Sequence, residues 1–212
     1  MKKVFALMFG LLLTCASMGA RAEMVEPDAL IKNTAQEVLE IVRQDQDIRA
    51  GNQKKILELV DAKVLPHFNF TRMTQLAVGK HWRKATPEQK QVLVTEFRNL
   101  LVRTYTKAFT VYKDQSVDVK PFKMPAGATE VTVKTVIVKP GAQPIPVDYE
   151  MEKTSTEWKV YDLSIEGVSL VTSYRGTFAE QVQQGGIEGL IKTLVEKNQT
   201  AAATPLRKAD GK

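Results

Sequence analysis

The apolar positions of this chain change period once. From Pro27 to Tyr112 they recur every three or four residues, as on one face of a helix, and from Gln115 to Ile165 they alternate with polar residues, as on a half-buried strand. Ile31, Ala35, Val38 and Val42 form the stripe of a first helix. Ile56, Leu57, Val60 and Val64 form a second, after Gly51. It must stop at Leu65-Pro66, because a proline bars the residue before it from helical geometry. A short third helix is expected from Thr71 to Val78, closed by Gly79. The fourth carries the strongest start signal, with Thr86 as N-cap, Pro87 at the first helical position and Gln89 completing a capping box. Its apolar face reads Leu93, Phe97, Leu101, Tyr105, Ala108 and Tyr112. At the helical rise this predicts a rod of about 39 Å, long enough to lie across a whole sheet.

The alternating region predicts an antiparallel meander of four strands, around Val117-Val119, Val131-Ile137, Val147-Met151 and Trp158-Ile165, with "KPGAQPIP" supplying a turn. In the last strand strict alternation puts Trp158 and Val160 on one face and Tyr161, Leu163 and Ile165 on the other, which reads as a strand covered on both sides. Two helices follow. One runs from Leu170 to Gln183 with Leu170, Tyr174, Phe178 and Val182 on one face, and is closed by Gly185-Gly186. The other runs from Ile187 to Asn198 with Leu190, Ile191, Leu194 and Val195. The tail from 199 to 212 has little to bury and is expected to be disordered. A single domain over residues 23–198 accounts for everything between.

Composition matters mainly through the first 22 residues. Lys2 and Lys3 precede the apolar run Val4 to Leu13, and Ala20-Arg21-Ala22 has the form of a cleavage site, so the segment reads as a secretory signal peptide. Cleavage there removes Lys2, Lys3 and Arg21 and leaves 27 basic against 24 acidic residues, a formal charge of +3 in place of +6. The alkaline character is then no argument for nucleic acid. The only cysteine, Cys15, leaves with the signal, so the mature chain has neither disulfide nor thiol chemistry. The 190 residues that remain suffice for one buried core.

Motifs for covalent chemistry are scarce. His67 and His81 do not have a metal-binding spacing, "IEGVSLV" lacks the G-x-S-x-G elbow, and no glycine-rich phosphate loop is present. Ser169 fits best as the N-cap of the helix after it. Asp162 and Glu166 are a conceivable carboxylate pair, although strand carboxylates are more often solvated.

The stretches "VLPHFNF", "LAVGKHW", "ATPEQKQVLVTEFRNLLVRTYTKAF" and "WKVYDLSIEGVSLVTSYRGTFAEQVQQGGIEGLIKTL" resemble the MlaC family, in order and in spacing, from the first helix to Leu194. That family is the periplasmic phospholipid-binding component of an ABC lipid-transport system and is also called the toluene-tolerance auxiliary family. The resemblance implies an α+β fold, with a curved, NTF2-like, antiparallel four-stranded sheet wrapped by about six helices around an apolar cavity. It also implies a soluble periplasmic monomer without cofactor or metal. Such a monomer would carry phospholipid between an outer-membrane lipoprotein complex and an inner-membrane MCE-type complex, maintain outer-membrane lipid asymmetry, and catalyse no reaction.

Under that reading the candidate lining residues are Leu65, Phe68, Phe70, Leu76, Phe97, Leu101, Tyr105, Tyr149, Met151, Tyr161, Val168, Leu170 and Val171. Val168 follows Gly167, where the chain bends away from the sheet, and is placed at the pocket rim. Lys80, Arg83 and Arg175 are the headgroup candidates. An NTF2-like enzyme acting on a small apolar substrate, an interaction or chaperone-like protein, and a carrier of hopanoid-type lipid remain open alternatives.

Overall fold

The computed structural model describes residues 24–106 and 115–203. The proposed signal peptide, the far end of the long helix at Ala108 and Tyr112, and the tail from 204 onward lie outside the described residues.

Helix α1, Pro27–Gln44, begins with a proline in its first turn and buries Ile31, Val38 and Val42. Asp45 then caps a single turn, α2 (Gln46–Arg49), by accepting from the amides of Asp47 and Ile48. Helix α3, Gln53–Lys63, buries Ile56, Leu59 and Val60. Leu57, assigned to that stripe from the sequence, is instead 41% exposed, because the buried face runs through position 59. The helix gives way to a 3-10 turn, Leu65–His67, as Pro66 requires. Helix α4, Phe70–Val78, ends at Gly79 with φ +61, a conformation that glycine adopts without penalty. Helix α5, Pro87–Tyr105, opens with the expected capping box: the Gln89 amide donates to Thr86 Oγ1 at 3.2 Å, and the Thr86 amide to Gln89 Oε1 at 2.9 Å.

The strands β1 (Ser116–Val119), β2 (Glu130–Val138), β3 (Ile145–Lys153), β4 (Trp158–Ile165) and β5 (Val168–Ser169) form one antiparallel meander in chain order. The sheet thus has five strands rather than four. The added strand is two residues long and is joined to β4 through Glu166 and Gly167, both at positive φ, a tight hairpin turn.

The expected faces of β4 also need correction. Met151 pairs with Val160, but Glu150 pairs with Asp162, so Tyr161 is an extra residue in a β-bulge. The bulge resets the alternation. Leu163 and Ile165 return to the face of Val160, opposite Tyr149 and Val147, and Tyr161 turns to the outer face among Glu130 and Arg72. One face of the sheet is therefore apolar and the other polar.

Helix α6, Leu170–Ala203, is two helical stretches, 170–185 and 187–203, that meet at Gly186, whose φ of 66° and ψ of −168° interrupt the helix where the glycine pair predicts. It continues past Asn198, the expected end, to Ala203. Ser169 caps it by accepting from the Thr172 amide at 3.0 Å.

Three groups of buried residues result. The helical core joins α4, α5 and α6 through Met73, Ala77, Leu93, Phe97, Leu101, Val171, Phe178, Leu190 and Leu194. The sheet core packs Ile31 of α1 on Val131, Val133, Met151, Trp158 and Val160. A third cluster lies between α1, α2 and α3. Helix α5 packs chiefly on α6 and α4, so it does not lie across the sheet as its length suggested. Among the described residues no helix is long and apolar enough to cross a membrane.

Candidate functional site

Among the described residues, one side chain, Phe68, packs against both of the larger cores. After Pro66 the chain extends, and Phe68 forms a parallel bridge with Val160 of β4. The Asn69 amide donates to the Val160 carbonyl at 2.8 Å, and Asn69 Oδ1 caps α4 by accepting from the Arg72 amide at 3.0 Å. This anchoring leaves the Phe68 and Phe70 rings stacked, with centroids 5.8 Å apart. Phe68 packs against both the helical core and the sheet core.

Beside it opens a groove of about 600 Å³, a volume typical of small-molecule sites. Its lining comes from three places: Phe68, Asn69, Phe70 and Thr71 from the linker and start of α4; Gln91, Val94, Thr95 and Arg98 from α5; and Thr154 and Lys159 from the β3–β4 hairpin. Three of the ten, Phe68, Phe70 and Val94, are apolar and the other seven polar or charged. Both ionisable residues among the ten are cations. Arg98 pairs with Asp61, and its guanidinium carbon lies 5.8 Å from the Phe70 ring centroid. Lys159 pairs with Glu157 at 2.8 Å and donates to the Pro66 carbonyl.

An ionic cluster ties α4 to the sheet next to the groove. Arg72 donates to Glu152 at 2.5 Å and to Glu130 at 2.7 Å, and its guanidinium carbon lies 3.6 Å over the Tyr161 ring. Asn69 Nδ2 donates to the other Glu152 oxygen at 2.7 Å. His67, one turn earlier, has a buried Nδ1 without a hydrogen-bond partner among the described residues, 3.9 Å from Glu157. Burial pushes its pKa below the usual histidine value, against the opposing pull of Glu157. On the apolar face of the sheet, burial raises the Tyr149 hydroxyl above its ordinary value, beside Thr135.

The thirteen lining candidates divide sharply. Phe68 and Phe70 line the groove. Leu76, Phe97, Leu101, Tyr105 and Val171 belong to the helical core, and Tyr149 and Met151 to the sheet core. Leu65 and Leu170 are half-buried outside the groove lining. Tyr161 faces the ionic cluster instead of an apolar space. Val168 is 61% exposed on β5, because the tight turn at Gly167 swings it outward. Of the headgroup candidates, Lys80, Arg83 and Arg175 are all exposed and outside the groove, and Arg175 Nε donates to the Leu76 carbonyl at 3.1 Å. Asp162 serves α6: it accepts from the Val171 amide at 3.1 Å and from the Ser169 hydroxyl.

The groove residues that sequence reasoning missed did leave a signal. Gln91, Val94, Thr95 and Arg98 are spaced i, i+3, i+4, i+7 and so share one face of α5, beside the buried stripe of Leu93, Phe97 and Leu101.

The MlaC protein family model matches residues 32–196, which covers the helices that build the groove and the whole sheet. The chain belongs to the MlaC family. Two relatives align along most of their length. The toluene tolerance protein ttg2D of Pseudomonas putida is 25% identical over 186 residues, covering 84% of this chain and 86% of the relative. The intermembrane phospholipid transport system binding protein MlaC of Haemophilus influenzae is 24% identical over 183 residues, covering 85% and 84%. Among solved structures, the phospholipid-binding protein of Ralstonia solanacearum, in complex with a phospholipid, is 38% identical with a TM-score of 0.78. That match covers 84% of this MlaC-family chain and 99% of the Ralstonia chain.

Proposed function

We propose that this chain is a periplasmic phospholipid carrier that moves lipid between an outer-membrane lipoprotein complex and an inner-membrane MCE-type complex, sustains outer-membrane lipid asymmetry, and performs no covalent chemistry. The observation that carries the reading is the likeness, at 38% identity and a TM-score of 0.78, to a protein whose structure holds a phospholipid. The groove agrees with it in character, since a lining that combines Phe68, Phe70 and Val94 with the cations Arg98 and Lys159 suits an amphiphile with a phosphate at one end.

A carrier is needed because of the hydrocarbon. Two acyl chains hold roughly 30 methylenes, and at about 0.8 kcal/mol each their exposure to water costs on the order of 25 kcal/mol. The chain must enclose most of that surface in transit, yet bind no more tightly than its donor and acceptor permit. Direction would come from the partner ATPase.

The test is native mass spectrometry of the protein purified without detergent, followed by lipid extraction. A stoichiometric phospholipid adduct is expected. A bare protein mass that stays unchanged after incubation with phospholipid vesicles would overturn the proposal, and a triterpenoid adduct would replace the cargo.

A further inference from the structure

We infer that the groove beside Phe68 and Phe70 is a phosphodiester site in which Arg98 and Lys159 hold the phosphate of the bound lipid. The inference rests on the carrier reading and deepens it by naming what selects the cargo.

The first support is the sign of the lining. Ten side chains line the groove, two of them cations and none a carboxylate. The carboxylates that pair with these cations, Asp61 and Glu157, are outside the lining, and their side chains are 64% and 41% exposed. A guanidinium has five N–H donors in a planar fork, so one edge can serve a carboxylate while the other serves a phosphate. Arg98 donates only through Nη2 to Asp61 among the described residues, which leaves donors for a second anion. The Lys159 ammonium has three N–H groups, with Glu157 and the Pro66 carbonyl as its described partners, and one remains.

The other polar groups sort in the same way. The Asn69 amide is committed to Glu152 and the Arg72 amide, and the Thr154 hydroxyl to the Glu157 backbone. Thr71 and Gln91 are exposed, and neither side chain makes a hydrogen bond among the described residues, while the Thr95 hydroxyl donates to the Gln91 carbonyl at 3.0 Å. The unspent donors of the groove are thus those of Arg98, Lys159, Thr71 and Gln91 and the second N–H of Asn69 Nδ2, in a lining whose apolar members are Phe68, Phe70 and Val94. A phosphate matches the donors, and the first methylenes of an acyl chain match the rings. Phe68, which touches both cores, marks the way inward.

The experiment compares cargo with and without the phosphate. The full protein is incubated with vesicles of phosphatidylethanolamine, phosphatidylglycerol and diacylglycerol, all with the same acyl chains, and native mass spectrometry counts each adduct. The wild type is expected to take either phospholipid over diacylglycerol. The double variant Arg98→Gln/Lys159→Gln is expected to lose about tenfold of that preference, the factor for one charge-assisted hydrogen bond, while still loading diacylglycerol. A double variant that loads lipid with unchanged preference overturns the inference and leaves the carrier intact. A wild type that takes none of the three lipids overturns the carrier reading itself. Should the double variant fail to fold, Arg98→Lys decides: it keeps the charge but not the fork, and an undiminished preference refutes the site. Lipid-free protein is also titrated with inorganic phosphate. Saturable millimolar binding that disappears in the double variant, found together with a lipid preference the double variant leaves unchanged, would assign the site to free phosphate instead of a lipid headgroup and overturn the inference.

Discussion

Replacing Arg72 with alanine removes a side chain that ties α4 to three strands. Glu152 lies on β3, Glu130 on β2, and Tyr161 bulges from β4, and the guanidinium contacts all three. Their contributions are unequal. The Glu130 side chain is 54% exposed, so its ion pair is worth about 0–1 kcal/mol after screening. Glu152 is only 19% exposed, and losing a charge-assisted hydrogen bond there costs about 1.5–3 kcal/mol. The stack on Tyr161 adds about 1 kcal/mol at a half-buried site. The expected loss is about 3 kcal/mol, or a fall in Tm of roughly 6–12 °C for a domain of this size. Urea denaturation with an unchanged slope is the assay. Arg72→Lys keeps the charge but neither the fork nor the stack, so it should recover less than half. A loss below about 1 kcal/mol in Arg72→Ala would refute the argument that this contact holds the layers together.

Further substitutions separate core from site. Phe97 is fully buried, with Tyr174 and Phe178 edge-on at 5.1 and 5.2 Å, so Phe97→Ala should cost about 3–5 kcal/mol in denaturant melts. Phe68→Ser should cost less stability than Phe97→Ala and remove more lipid from the folded protein by native mass spectrometry; the reverse order would place the site elsewhere. Gly186→Ala meets no neighbouring atom but puts a side chain at a backbone geometry reserved for glycine, and should lose about 1–3 kcal/mol. Gly176→Ala, in open space on a regular turn of α6, should gain about 0.5–1 kcal/mol, and thermal melts of the pair check the kink. The His67 pKa is held below its unfolded value of 6.5 by burial, so the unfolded state takes up the proton first. Stability from this group is level above that pH and declines as the pH falls toward the folded pKa. His67→Gln should flatten this part of the profile in melts between pH 7 and 5, and an unaltered slope would remove His67 as the cause.

The local signals in the sequence were strong where one rule acted alone. Thr86, Pro87 and Gln89 specify the start of α5, and Gly185-Gly186 the break in α6, because capping and glycine geometry depend on neighbours only a few residues away. The bulge at Tyr161 was not legible, since strict alternation hides a single extra residue and reverses every assignment beyond it. Nor was β5: it has two residues, and its turn uses Glu166 at φ 52°, a position where glycine is the expected signal. The stripe of α5 showed that one face is buried but not against what, so a helix long enough for the sheet packs on α4 and α6 instead. For the site, the ring pair Phe68 and Phe70 stood out as large and apolar. Arg98 and Lys159, 61 residues apart, look like ordinary solvated cations until the fold brings both to one groove.

The separation of the cores bears directly on how such a protein can take up hydrocarbon. A single continuous core would have to unpack to admit an acyl chain, at several kcal/mol for each large side chain displaced. Here the most fully buried side chains lie within each layer: Phe97, Leu93 and Leu190 on the helical side, Val133, Met151 and Val160 on the sheet side. Phe68 is half-buried and belongs to both. Under the carrier reading, hydrocarbon that enters at Phe68 replaces contacts between layers and leaves those within each layer in place. The penalty of opening then falls on Phe68 and on the Arg72 cluster beside it. Contacts with the acyl chains can offset a penalty of that size, and the same small penalty leaves release within reach of a membrane partner.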